Sequence, residues 1–240
     1  MKRLKQGFAN LFIGFLKNPF VRYRFLMPLM EALNKNHDEE ILSKAFQFIQ
    51  YNHIVGDYLE FGVWKGRSFV KAYHFKKYLK LKKPMRFYAF DSFQGLPEVK
   101  DSDQLSSGFK KGDYTCDEET FRKILTKNGV DMNEVVIVPG WYTEVLNDTT
   151  KENISIKEAA IIFVDCDLYE SAVPVLDFIT DLVTDGTIII FDDWFCFKGD
   201  PNKGEQKAFK EWLARNPHIT ATQWQKVNWK TNSFILHKNV

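Results

Sequence analysis

Two acidic pairs, Asp165-Cys166-Asp167 and Asp192-Asp193, each follow a continuous apolar run, Ala159–Val164 (AAIIFV) and Thr187–Phe191 (TIIIF). An unbroken apolar run of that length is expected of a central parallel strand covered on both faces. Neighbouring strands lie about 4.8 Å apart, so the four carboxylates are expected to converge at the strand ends. Converging carboxylates repel one another unless something cationic sits among them. A hard divalent ion such as Mg²⁺, which prefers oxygen ligands in octahedral geometry, is the natural occupant. The competing reading makes these acids loop and helix caps with no metal.

A second group lies around Glu60-Phe61-Gly62-Val63-Trp64-Lys65-Gly66-Arg67-Ser68. Asp57–Phe61 reads as a strand running into a turn with two glycines and then a helix. Gly62 and Gly66 let backbone approach a ligand closely. The helix start offers free N–H groups and partial positive charge to a carboxylate or phosphate. Trp64 stands where the dinucleotide fingerprint has its second glycine, so a pyrophosphate would be crowded. An acid before the glycine suits an amino group and the helix end suits a carboxylate; the zwitterion of methionine has both. A purely structural turn is the alternative. Asp91, closing the strand Arg86–Phe90, is placed to accept hydrogen bonds from both hydroxyls of a ribose, or else to form an Asx-turn or helix cap. The histidines, His37, His53, His74, His218 and His237, are scattered and read as structural or surface residues. Neither a nucleophile elbow nor a phosphate-binding P-loop is present.

The elements that must position these residues follow in alternation. Helices are expected over Ser68–Lys80, Asp117–Lys127, Glu170–Val183 and Lys203–Arg215, with Pro174 in a first turn or at a kink. Further strands are expected at Val135–Val138, Ile219–Gln223 and Ser233–His237, the last two as an antiparallel pair at the sheet edge. Such alternation implies α/β architecture, a doubly wound, mostly parallel sheet with right-handed crossovers. Ligands bind beyond the carboxyl ends of its strands, which is where the acids and glycines singled out above fall.

Composition fits one domain of this kind: 240 residues, 45% hydrophobic, 27% charged, with 22 Phe. A net charge of +2 gives no global field toward nucleic acid, and none is expected as a partner. Cys116, Cys166 and Cys196 form no C-x-x-C pair, which fits a reducing, cytoplasmic setting without a disulfide framework. Residues 1–50 are expected to form an N-terminal helical extension and residues 51–240 the catalytic domain. Within the extension, Met1–Phe25 is basic and aromatic, and its apolar stretch Leu11–Leu16 is too short to span a bilayer. An amphipathic helix packed on the domain or a partner subunit is expected; peripheral contact with the inner face of a membrane is the alternative.

The phrases YLEFGVWKGRS, FYAFDSFQGLPE, FVDCDLYES and IIIFDDW, in that order, resemble the macrocin O-methyltransferase family over roughly Gly56 to Trp212. The resemblance implies a seven-stranded, Rossmann-like class I methyltransferase that uses S-adenosyl-L-methionine and Mg²⁺ to methylate a hydroxyl of a sugar or glycosylated acceptor, and that assembles as a homo-oligomer. It implies that Glu60, Gly62, Val63 and Ser68 hold the methionine part of the cofactor, and that Asp91, Ser92 and Phe93 hold its ribose and adenosine. Gly140 and Trp141 would border the adenine. Asp165, Asp192 and Asp193 would bind the metal, with Asp165 also against the cofactor and Asp165 or Asp167 as the base. Glu98–Thr115 would be a mobile lid. Trp194 and Lys198 depart from the family's stretch after the paired aspartates, so family acceptors do not transfer directly. Two rivals stay open: a nucleotide-sugar glycosyltransferase using Asp165-x-Asp167 as its metal motif, and a non-catalytic partner-binding module.

Overall fold

The computed structural model describes residues 37–81, 84–99, 103 and 108–238. The chain divides after Asp38, and Glu39–Val240 carries the sheet. Its seven strands are β1 (Asp57–Phe61), β2 (Phe87–Asp91), β3 (Val135–Pro139), β4 (Ala159–Val164), β5 (Val183–Phe191), β6 (Ile219–Gln223) and β7 (Asn232–Lys238). Their order is β3-β2-β1-β4-β5-β7-β6. The pairings among β1 to β5 are parallel, whereas β7 runs antiparallel to both β5 and β6. This is the expected doubly wound, mostly parallel sheet with its antiparallel edge pair. Strand order reverses between β1 and β4, the switch point at which such sheets take ligands.

The helices are α1 (His37–Tyr51), α2 (Arg67–Leu79), α3 (Glu118–Lys127), α4 (Tyr142–Val145), α5 (Asp148–Ile154), α6 (Tyr169–Ile179) and α7 (Gly204–Arg215). Alternation along the strands splits the core into two layers. Leu59, Phe61, Ile162, Val164, Ile189 and Phe191 pack against α6 and α7. Tyr58, Ile161, Phe163, Ile188 and Ile190 face α1, α2 and α3 on the other side. In α1 the buried residues Ile41, Leu42, Ala45, Phe46 and Ile49 recur at helical spacing, which is why this segment is helical and which face it buries.

Trp212 anchors α7 to α6. It is fully buried, and its indole N–H donates to the Thr180 hydroxyl at 2.9 Å. Trp212→Ala is expected to cost about 3–5 kcal/mol in denaturant unfolding, as the large cavity it would leave does. Trp212→Phe keeps most of the volume and is expected to cost about 1–2 kcal/mol.

Two expectations need correction. β5 begins at Val183 rather than Thr187, so Asp185-Gly186 lies inside it. The reason is a bulge: Ala159 and Ile161 on β4 face Val183 and Ile188 on β5, so β5 carries extra residues between its paired stretches. Gly186 supplies a φ of 90° there, and the Thr187 hydroxyl bridges to the Ala159 carbonyl at 2.6 Å. Pro174 lies inside α6 instead of in its first turn. The expected N-terminal amphipathic or membrane-surface helix falls on Met1–Phe25, outside the described residues. Among the described residues no helix is long and apolar enough to cross a membrane.

Candidate active site

One hydrogen-bonded ladder links the carboxyl ends of five strands. The Gly140 amide donates to the Asp91 carbonyl (2.9 Å), Gly62 to Phe90 (2.9 Å), Asp165 to Phe61 (2.8 Å) and Asp192 to Val164 (2.9 Å). Gly140, Asp91, Gly62, Asp165 and Asp192 are therefore neighbours along one rim, from β3 to β5. Three acidic strand tips, Asp91, Asp165 and Asp192, and the glycine turn share it.

At the centre of the rim the β1–α2 turn presses against β4. Gly62 has φ 87°, and a Cβ built there would sit 1.8 Å from the Asp165 carbonyl oxygen. Only glycine permits both the conformation and the approach. The α2 N-cap, Gly66, has no side chain and makes no side-chain cap bond at the helix start. Asp91 organises this turn. Its Oδ2 accepts from the Val63 and Trp64 amides at 2.8 and 3.1 Å, and its Oδ1 accepts from the Phe93 amide at 2.7 Å. Burial raises the Asp91 carboxyl above its ordinary value, and these three amide bonds oppose that shift. A carboxylate has about four acceptor positions. Three are taken, so Asp91 as it stands has room for one further donor rather than for both hydroxyls of a ribose.

Glu60 lies deeper than its placement in the sequence suggests. It is fully buried, and its carboxylate accepts from the Ser68 hydroxyl at 2.5 Å and from the Tyr58 hydroxyl. It thus ties β1 to the first turn of α2. Glu60→Ala is expected to lower stability by about 2 kcal/mol in thermal or denaturant unfolding, because the tie between β1 and the Ser68 hydroxyl of α2 is lost inside the protein. Ser92 caps its own turn, accepting from the Gln94 amide and donating to the Gly95 carbonyl, both at 3.0 Å. Phe93, at φ 55°, packs on Phe121. Trp141 is half-buried at the start of α4, beside Gly140.

The other half of the rim is acidic. One carboxylate oxygen from each of Asp165, Asp192 and Asp193 lies within 4.8 Å of the other two. Asp167, held at φ 62° after β4, and Glu205 of α7 add two more buried carboxyls. The carboxyls of Asp165, Asp167 and Glu205 are all pushed well up, first by burial and then by the neighbouring aspartates. Among the described residues one cation, Lys230, faces all five; its ammonium pairs with Asp192 Oδ2 and sits 3.2 Å from Asp193 Oδ1. Burial would lower the lysine, but Asp193, Asp192 and Asp165 raise it above its ordinary value. The balance is still incomplete, because Asp193 Oδ2 and Glu205 Oε1 are buried with no hydrogen-bond partner. A buried orphaned carboxylate oxygen costs roughly 1–3 kcal/mol, a cost that a further donor or cation would relieve. Two oxygens on one Mg²⁺ sit roughly 3–4 Å apart, so Asp165, Asp192 and Asp193 fit such an ion with a small closure.

Lys230, Glu205 and Tyr114 escape sequence reasoning. Lys230 lies in the turn between β6 and β7, and Glu205 looks like an ordinary acid in a helix first turn. Tyr114 faces the acids closely enough that, after burial, Asp167 and Asp193 contribute most to raising its phenol. Its ring meets Trp64 edge-on at 5.6 Å. Much of the expected lid, Glu98–Thr115, lies outside the described residues. Within it, Asp103 is buried and accepts from the Tyr169 amide at 2.8 Å, at the start of α6.

The family model for macrocin-O-methyltransferase (TylF) matches residues 37–231. The 8-demethyl-8-(2,3-dimethoxy-alpha-L-rhamnosyl)-tetracenomycin-C 4'-O-methyltransferase of Streptomyces olivaceus is 28% identical over 148 residues, 59% of this chain and 54% of that protein. The mycinamicin III 3''-O-methyltransferase of Micromonospora griseorubida is 26% identical over 154 residues, 59% of this chain and 56% of that protein. The chain thus spans about half the length of the curated relatives it matches. Among solved structures, the calicheamicin methyltransferase CalS11 superposes with a TM-score of 0.70 at 22% identity, covering 93% of this chain and 89% of that one. Matched across most of its length, with its acidic strand tips and glycine turn on one rim, the chain belongs to the macrocin O-methyltransferase family.

Proposed function

We propose that this protein transfers a methyl group from S-adenosyl-L-methionine to a hydroxyl of a sugar-containing acceptor, with Mg²⁺ held by Asp165, Asp192 and Asp193. The observation that carries the reading is the acid nest with its orphaned Asp193 Oδ2, set on the same rim as the Gly62 turn. Relatives named for methylating a rhamnosyl-tetracenomycin and a mycinamicin support the sugar acceptor.

Each residue then has a physical task. Gly62 and Val63 let the cofactor's methionine part lie against the β1–α2 turn, and the uncapped start of α2 faces its carboxylate. Ser68 and Glu60 keep that helix start fixed to β1. Asp91 takes one ribose hydroxyl on its remaining lone pair, while Ser92 and Phe93 shape the loop beside it. Gly140 and Trp141 border the adenine. The negative rim favours the positively charged sulfonium donor. A bound Mg²⁺ would supply the Lewis acidity that makes an alcohol a competent nucleophile near neutral pH. Asp165, Asp192 and Asp193 would fix it in place. Asp167, whose carboxyl is raised above its ordinary value by burial and by Asp193, takes the hydroxyl proton. Burial of the nest excludes the water that would otherwise compete as acceptor.

The test is isotope-labelled methyl transfer from S-adenosyl-L-methionine to a panel of rhamnosyl and related glycoside acceptors, with and without EDTA. Transfer to a sugar hydroxyl that EDTA stops and added Mg²⁺ restores is the expected result. Transfer that EDTA does not affect would contradict the metal assignment. Binding of nucleoside diphosphates with no affinity for S-adenosylhomocysteine would contradict the methyltransferase reading.

A further inference from the structure

Lys230 occupies the part of the acid nest that the metal reading needs. Its ammonium is paired with Asp192 Oδ2 and lies 3.2 Å from Asp193 Oδ1, two of the residues assigned to a divalent ion. The lysine is delivered there by a rigid turn. Asn228 Oδ1 accepts from the Lys230 and Thr231 amides, both at 2.7 Å, and the Lys230 carbonyl accepts from the Phe195 amide at 2.9 Å. The Thr231 hydroxyl donates to Asp192 Oδ1 at 2.9 Å, locking the turn to the tip of β5. The lysine side chain nevertheless keeps 29% of its surface exposed, so the ammonium has a route to solvent that leaves this turn intact.

We propose that Lys230 is the resident counter-ion of the metal site, holding Asp192 and Asp193 together in the metal-free protein and leaving for solvent when a divalent cation enters. The inference rests on the metal assignment above. Without any cation, the five carboxyls could stay together only by holding protons, as the raised carboxyls of Asp165, Asp167 and Glu205 indicate. A single ammonium relieves part of their repulsion but leaves Asp193 Oδ2 without a partner. A divalent ion satisfies more oxygens with more charge, and it repels the ammonium from the Asp192 oxygen they would share. Metal loading is then an exchange of one cation for another on a preformed site, and Lys230 sets the metal affinity by competing for it.

The experiment compares the unsubstituted chain with Lys230→Met by calorimetric titration with Mg²⁺ alone, alongside thermal unfolding with and without the ion. Removing the competitor is expected to tighten Mg²⁺ binding about tenfold or more. It is also expected to lower the metal-free melting temperature, with saturating Mg²⁺ restoring it. Unchanged or weaker Mg²⁺ binding in Lys230→Met, with Mg²⁺ bound by the unsubstituted chain, would overturn the exchange and leave the metal assignment standing. Absence of Mg²⁺ binding in both would overturn the metal assignment and the exchange together. Should Lys230→Met fail to fold, acetic anhydride labelling of the unsubstituted chain, read by mass spectrometry, decides the matter. Lys230 acetylation is expected to rise on adding Mg²⁺ relative to Lys226, and an unchanged ratio would overturn the proposal.

Discussion

Asp192→Ala is expected to reduce methyl transfer by about a thousandfold or more while leaving affinity for S-adenosylhomocysteine within about threefold of the unsubstituted chain. The separation follows from the rim. Asp192 stands at the tip of β5, and the turn assigned to the cofactor lies at the tip of β1, with β4 between them. Removing the Asp192 carboxylate takes one oxygen from the three that would hold the metal. It leaves Lys230 paired with Asp193 at 3.2 Å, so the nest does not acquire an unpaired ammonium. Asp192→Asn keeps the shape and the Thr231 contact, and the same split is expected of it. Turnover and calorimetry on both variants check the prediction. Equal losses in turnover and in cofactor affinity would count against a metal-and-acceptor role for Asp192.

Gly62→Ala is expected to remove both functions at once. The residue sits at φ 87°, and the added methyl would meet the Asp165 carbonyl oxygen at 1.8 Å. That oxygen is backbone, so no rotamer change relieves the overlap. Either the β1–α2 turn or the tip of β4 must move, and each carries half of the proposed site. A loss of about 3 kcal/mol or more in unfolding free energy is expected, together with loss of S-adenosylhomocysteine binding. Gly129→Ala is the control, since φ is 75° there but nothing lies within 4 Å of the added Cβ. It should cost only the backbone term, about 1–2 kcal/mol, and leave binding unchanged. Equal effects of the two substitutions would mean that close approach at Gly62 is not what shapes the rim.

The strands were legible because their apolar runs are unambiguous: AAIIFV is buried along its whole length and can only be a covered parallel strand. The ends of β1, β2, β4 and β5 were legible because glycine or aspartate stands there, at Gly62, Asp91, Asp165 and Asp192. What the sequence hid was set by tertiary closure. The bulge in β5 exists because Ala159 pairs with Val183 across a gap that no local propensity encodes. α4 and α5 are too short to show a helical period. Lys230 reaches the acid nest only because β7 folds back antiparallel onto β5, bringing its preceding turn to the rim. Asp91 was recognised as a carboxylate at a strand end, but its engagement by the Val63 and Trp64 amides depends on how β1 and β2 lie side by side.

The central claim is that a sulfonium donor and a divalent cation meet on this single rim. Crystals grown with S-adenosylhomocysteine and Mn²⁺, with anomalous scattering recorded at the manganese edge, test it most directly. The account predicts one manganese peak bonded to Asp165, Asp192 and Asp193, with the homocysteine moiety against the Gly62 turn on the same rim. Manganese bound elsewhere, or the nucleoside lodged away from Asp91 and Gly62, would contradict it.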